Sequence, residues 1–259
     1  MPELLHTPSK ERMVTTNAWA FLHWLRVVRQ VVLADWAALQ RWSAENPTAF
    51  TAAFVEFAGL AASPIRLARP GLPAALVERS SSTAHLGRSD PAEGPPAAIA
   101  ALLARDWPRE ALIGPSAEVL LHTDVRPDDR LLVCGPPWPW LAALLEGTSI
   151  ILNQAGDLLG IAEEERATIL VASSDALANA AFPRPGRRPE LSNLRTIVAT
   201  GGPLSPEGRR RIYTWVKSDV MLLARSGDTF WGNPLEPVLV RPTATPAFFT
   251  PPAATPALR

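Results

Sequence analysis

Leu194-Arg195-Thr196-Ile197-Val198-Ala199-Thr200-Gly201-Gly202-Pro203-Leu204-Ser205-Pro206 begins as a β-branched apolar run, breaks at a glycine pair and restarts as a helix. Ser205 offers a hydroxyl for the N-cap, Pro206 has the φ angle that a first turn needs, and Glu207 sits against the positive end of the helix dipole. The same alternation continues on both sides. Residues 130–134, 149–152, 168–171, 194–199 and 220–224 are strand candidates, and 136–146, 158–166, 175–181 and 205–216 fill the intervals with helical patterns. Strands separated by helical stretches of about 10–15 residues make βαβ units, so the fold class is α/β, a mostly parallel sheet with flanking helices.

Further out, the pattern changes. In residues 1–60, Trp19, Leu22, Leu25, Val27-Val28 and Val31-Val32 recur at helical spacing, followed by Trp36, Leu39 and Trp42 and then Phe50, Phe54 and Phe57. These stripes read as packing faces of N-terminal helices, with Asp35 and Asn46-Pro47 as start and stop signals. Residues 61–96 dissolve into proline, glycine and serine and read as a linker, with one short helical interlude at 74–78. The α/β core is expected over 97–233. Residues 234–259 carry Pro242, Pro246, Pro251, Pro252 and Pro256 and read as an extended tail unable to join a sheet ladder, with Phe248-Phe249 as its docking point.

Composition excludes several classes. The chain has 259 residues, with 25 Lys plus Arg against 25 Asp plus Glu, so no basic field exists to hold nucleic acid. No apolar run approaches the roughly 20 residues needed to span a bilayer. Cys134 is the single cysteine, and the N-terminus lacks secretory features, so a cytoplasmic location is expected. His6, His23, His85 and His122 show no spacing that suggests a metal site, and none is assigned. Cys134 reads as a small buried apolar residue rather than a nucleophile, and Arg187-Arg188 and Arg209-Arg210-Arg211 read as solvated basic faces.

Two loops carry the candidate chemistry. Thr200-Gly201-Gly202 follows a strand, where α/β proteins bind ligands, and glycine lets a backbone approach a bound group closely. A tight strand-to-helix connection that needs only positive φ explains the same residues. Ser226-Gly227-Asp228-Thr229 follows the next strand, and the two loops are expected to face one cleft. Asp228 suits a water-mediated magnesium contact and Thr229 a phosphate oxygen, although an Asp-Thr pair also caps turns.

Several ordered motifs resemble one family. Residues 194–206, with 217–238 ending in Trp231-Gly232-Asn233-Pro234-Leu235-Glu236-Pro237-Val238, are similar to the core of the adenylate-forming acyl-CoA ligases, in particular their acetoacetyl-CoA synthetase branch. That branch shows a Thr-Gly-Ser-Pro-Leu turn, a Ser-Gly-Gly-Thr-Asp loop and then Gly-Asn-Pro. Leu121-His122-Thr123-Asp124-Val125-Arg126-Pro127-Asp128-Asp129-Arg130 resembles its Leu-His-Thr-Asp-Leu-Arg-Pro-Gly-Asp-Arg, and Trp138-Pro139-Trp140-Leu141 its Trp-Asn-Trp-Leu. Gly147-Thr148-Ser149-Ile150-Ile151-Leu152 resembles the branch's Gly-Ala-Thr-Ile-Val-Leu, and residues 35–50 resemble a segment near its N-terminus.

The resemblance implies a partial adenylate-forming ligase core and a reaction using ATP, magnesium and coenzyme A. A carboxylate attacks the α-phosphate to release pyrophosphate, and the coenzyme A thiol then displaces AMP. Thr200, Gly201 and Gly202 would line the acyl or adenine pocket, and Ser226, Gly227, Asp228 and Thr229 would face the phosphates; no catalytic residue is assigned.

Departures from the family pattern point to impaired chemistry. The family's phosphate loop, Ser-Ser-Gly-Thr-Thr-Gly-Leu-Pro-Lys-Ala-Ile-Val, aligns only with Arg88-Ser89-Asp90-Pro91-Ala92-Glu93-Gly94-Pro95-Pro96-Ala97-Ala98-Ile99, where the lysine is Ala97 and Pro91 removes a backbone donor. Asp90 and Glu93 would oppose the triphosphate by roughly 1 kcal/mol per charge pair at ~4 Å even with water-like screening. Phe230 stands where the family has its acidic residue, and no counterpart of the family's C-terminal domain, which carries the adenylation lysine, follows 238. The expected function is an acetoacetyl-CoA synthetase-like ligase with impaired chemistry, its pocket taking a carboxylate or nucleotide. A non-catalytic α/β binding or scaffold protein is the alternative, associating through apolar surface that a partial fold leaves uncovered.

Overall fold

The computed structural model describes residues 3–60, 76–79, 106, 109–136, 139–153, 157–180, 189–227 and 229–240. Its centre is a seven-stranded sheet. In chain order the strands are β2 (Leu76–Arg79), β3 (Arg130–Val133), β4 (Ser149–Asn153), β5 (Ile169–Ser173), β6 (Thr196–Thr200), β7 (Met221–Ser226) and β8 (Thr229–Trp231). They lie side by side in the order β2-β4-β3-β5-β6-β7-β8, parallel throughout except for β8, which returns antiparallel along β7. The class read from the sequence is the class observed.

The inner strands β3–β7 are near-continuous apolar runs because both of their faces are covered. Successive side chains point to opposite faces. Leu131, Val133, Ile169, Val171, Val198 and Leu223 enter one core with helices α2 (Asn17–Val28), α3 (Trp36–Glu45), α4 (Pro47–Phe57) and α5 (Arg109–Ala117) and the 3₁₀ helix Trp140–Glu146. Leu132, Leu170, Ala172, Ile197, Ala199 and Leu222 enter the other, under α6 (Leu158–Glu164), α7 (Ser174–Ala180) and α8 (Pro206–Arg211). The apolar sheet face expected to lie bare is therefore not found in β3–β7.

The N-terminal helices form where their caps predict. Asp35 accepts the Ala38 N–H at 2.8 Å at the start of α3, and Pro47 opens α4. The second and third stripes pack on the core, whereas only part of the first does: Leu22 and Leu25 are buried, but Trp19, Val27, Val28 and Val32 are exposed. A short helix α1 (Lys10–Val14) precedes them, capped by Ser9.

Three readings are corrected. The helical interlude at 74–78 is instead strand β2, which pairs in parallel with β4 at the edge of the sheet; the rest of the linker lies outside the described residues. The tail was expected to avoid strand pairing, yet Val238–Leu239 (β9) pairs antiparallel with Leu4–His6 (β1). A two-strand ribbon tolerates this because Pro234 and Pro237 lie before the paired residues, where no ladder N–H is lost. Arg209 is buried rather than solvated, donating to the carbonyls of Leu204 and Leu239 at 3.2 Å. Arg210 and Arg211 do face solvent and pair with Glu3 and Glu207. Phe248-Phe249 lies outside the described residues.

Candidate functional site

Because the sheet is parallel, its carboxyl ends form one rim, and the chain order reverses on either side of β3, the place where such sheets open a crevice. The first candidate loop sits on this rim at the end of β6 and the second beside it at the end of β7. Thr200 pairs in register with Arg225, and the Gly202 N–H donates to the Arg225 carbonyl at 3.1 Å. From the start of α7, just after β5, the Ser174 hydroxyl lies 3.2 Å from the Thr200 carbonyl and 2.5 Å from that of Gly202. Ser205 caps α8 as expected, accepting from the Gly208 N–H at 3.0 Å. The two loops are thus neighbours.

Gly201 and Gly202 have φ of +83° and +123°, and a Cβ at either would meet nothing within 4 Å. Left-handed backbone, not crowding, requires glycine there, and the space ahead of the turn stays open. Ser226 pairs with Thr229 across a tight turn in which Gly227 has φ of +57°. Ser226 and Gly227 are exposed and Thr229 is half-buried. Asp228 lies outside the described residues, as do Ala97 and the whole stretch 88–99.

Behind the hairpin lies a polar cluster that the strand pattern did not flag. Helix α5 continues as a π-helical turn, Glu118–His122. The Glu118 carboxylate accepts from Arg225 Nη2 at 3.1 Å and Nε at 3.3 Å, with both side chains largely buried. One turn later, His122 Nδ1 donates to the Gly232 carbonyl at 3.0 Å. Its ring stacks on Phe230 at 4.6 Å and meets Trp36 edge-on at 5.0 Å. Burial holds the His122 pKa down to about 4, against a smaller upward pull from the Gly232 bond.

Phe230 is 1 % exposed, packed between His122 and Trp140 with the Arg225 guanidinium 5.7 Å above its ring. The position where the resemblance expects an acid therefore points into the core. Among the described residues no group of three or more His, Cys, Asp or Glu is arranged to hold a metal ion. The described residues of this rim offer hydroxyls and backbone amides rather than the carboxylate oxygens that magnesium prefers. Cys134, at the end of β3, accepts a long bond from Asn153 at 3.7 Å; burial pushes its thiol up, as suits an unreactive cysteine.

At the opposite rim the Leu121–Arg130 motif has a structural role. Arg195, opening β6, bonds both Asp124 (Oδ2 at 3.2 Å) and Asp129, while Arg126 reaches Asp124 at 2.7 Å. The second Asp124 oxygen accepts the Asn17 N–H at 2.8 Å, and Thr168 donates to Asp129 at 2.8 Å. Burial pushes the Asp124 carboxyl up, opposed by Arg195, the Asn17 N–H and Arg126.

No family model matches the sequence. Acetoacetyl-coenzyme A synthetase of Rhizobium meliloti (strain 1021) is 36% identical over 138 residues, 45% of this chain and 21% of that protein. Feruloyl-CoA synthases of an Amycolatopsis and a Streptomyces species are each 36% identical over 97 residues, 33% of this chain and 20% of theirs. The chain thus matches about a fifth of the length of these relatives. The solved acetoacetyl-CoA synthetase from Streptomyces lividans superposes with a TM-score of 0.68 at 15% identity, over 96% of this chain and 69% of that one. The latter likeness establishes the fold. No described helix is long and apolar enough to cross a membrane. The chain is thus similar in sequence, over part of its length, to acetoacetyl-CoA and feruloyl-CoA synthases, and similar in fold to a solved acetoacetyl-CoA synthetase.

Proposed function

We propose that the chain is an acetoacetyl-CoA synthetase-like α/β core in which ATP-dependent acyl-adenylate and acyl-CoA formation are impaired. Its rim would hold a carboxylate or nucleotide between Thr200-Gly201-Gly202 and Ser226-Gly227-Asp228-Thr229. The observation that carries this reading is the 3.1 Å bond from Gly202 to Arg225, which makes the two loops one edge with open space before the glycines. Impairment rests on Phe230, buried where an acid is expected, and on Ala97 in place of the phosphate-loop lysine. Ala97 and Phe230 remove two groups that the family's pattern sets against the developing phosphate charge, and that stabilisation is normally the main source of rate.

Calorimetric titration with ATP, then with acetoacetate, followed by a pyrophosphate-release assay with magnesium and coenzyme A, tests it. Binding that the double variant Asp228→Ala/Thr229→Ala abolishes, with little or no turnover, is the expected result. Robust thioester formation would overturn the impairment, and absence of all binding would overturn the pocket. The second reading, a non-catalytic scaffold, draws on Trp19 and Trp215, each about half exposed, since wide apolar rings on a surface suit protein contacts.

A further inference from the structure

We propose that Glu118 and His122 are positioning residues for the β7–β8 hairpin, setting where Ser226, Gly227 and Thr229 stand relative to Thr200 and the glycine turn without touching what binds there. The inference rests on the reading of this rim as the pocket. The two residues are four apart on one helical turn and grip the two strands separately: Glu118 holds Arg225 on β7, and His122 holds the carbonyl of Gly232, just past β8. The grip does not depend on the short hairpin's own ladder, which comprises only the pairs Ala224–Trp231, Arg225–Phe230 and Ser226–Thr229.

Three further observations favour positioning over mere packing. Glu118 turns the Arg225 side chain toward the core, while the Arg225 carbonyl receives the Gly202 N–H, so one residue joins the clasp to the other loop. His122 stacks on Phe230, the residue opposite Arg225 in the hairpin. The same stretch of chain continues to Asp124, which anchors it to β6 and α2 at the far rim. The clasp is therefore held at a fixed height along the sheet. Removing one member leaves its buried partner uncompensated, and that weakens the local structure more than an exposed pair would.

The test is hydrogen exchange on the whole chain, followed by mass spectrometry, for wild type, Glu118→Gln, His122→Phe and the exchanged pair Glu118→Arg/Arg225→Glu. Each single variant should speed exchange across residues 221–232 by about tenfold or more, with residues 130–133 and 169–173 unchanged. The exchanged pair should recover most of the protection lost in Glu118→Gln. Equal exchange at the hairpin, or a uniform rise over the whole sheet, would overturn the proposal. Should Glu118→Gln fail to fold, Arg225→Gln breaks the same pair from the other side and is judged by the same criterion. Titration with ATP separates the two readings. If wild type binds, the loosened variants should bind about tenfold more weakly, and unchanged affinity would count against positioning. If wild type does not bind, the pocket reading falls while exchange still decides the clasp.

Discussion

The two rims of the central sheet are built to opposite rules. At the amino rim, Arg195, Asp124, Asp129, Arg126 and Thr168 are joined to one another by ion pairs and hydrogen bonds. At the carboxyl rim, Gly201, Gly202 and Gly227 hold left-handed backbone with nothing within 4 Å of where a Cβ would stand. Closed polar networks fix strands; open strained turns leave room. The difference teaches where to look for function in this chain, because a rim whose carboxylates are already held by arginines offers a ligand less than an open one.

The sharpest way to break this contrast is Arg195→Ala. Asp124 and Asp129, with side chains 3% and 7% exposed, would lose their shared cation, and breaking a buried pair from one side costs about 3–5 kcal/mol. Urea unfolding should show that loss as a lowered midpoint. A change below about 1 kcal/mol, the range of exposed pairs, would mean that the amino rim is not the stabilising one.

Next in size is a pH effect. His122 has its folded pKa lowered to about 4 against an ordinary value of 6.5, so the unfolded chain binds the proton more readily. Its contribution is complete above pH 6.5 and falls away between 6.5 and 4, by about 3 kcal/mol in all. Melting temperature should therefore drop as pH falls through that window. His122→Gln, which cannot take up a proton there, should flatten the drop; an equally steep profile would assign it to other groups, among them His6, whose pKa burial also lowers.

How much of this was legible in the sequence follows from the range of each interaction. The runs at 130–134, 168–171 and 194–199 announced themselves because a strand covered on both faces is apolar at every position. Helix Arg109–Ala117 did not, since Gly114-Pro115 punctuates it like a loop although the helix carries Pro115 within it. Strand Leu76–Arg79 was hidden by its proline-rich surroundings, and Val238–Leu239 has strand character only through its partner at Leu4–His6. In the candidate site, Thr200-Gly201-Gly202 and Ser226-Gly227 were visible as punctuation after strands. Their support was not: Glu118 and Arg225 are 107 positions apart, and no local pattern joins them. Phe230 drew notice only against a family motif, and its burial explains what the motif could not, that the changed residue has become part of the core.

A smaller effect sharpens the contrast at its open end. Gly202→Ala meets no steric obstacle, so its cost is that of forcing an L residue to φ of +123°, about 1–3 kcal/mol. Gly208→Ala is the control. Gly208 sits inside α8, where alanine gains up to about 1 kcal/mol of helix propensity while its Cβ would crowd the Ser205 hydroxyl at 3.3 Å, so the net change should be near zero. Comparing thermal midpoints of the two variants separates backbone strain from packing. If Gly202→Ala were as mild as Gly208→Ala, the turn would be free to relax, the space before it would not be set by the backbone, and the carboxyl rim would lose its claim to a preformed site.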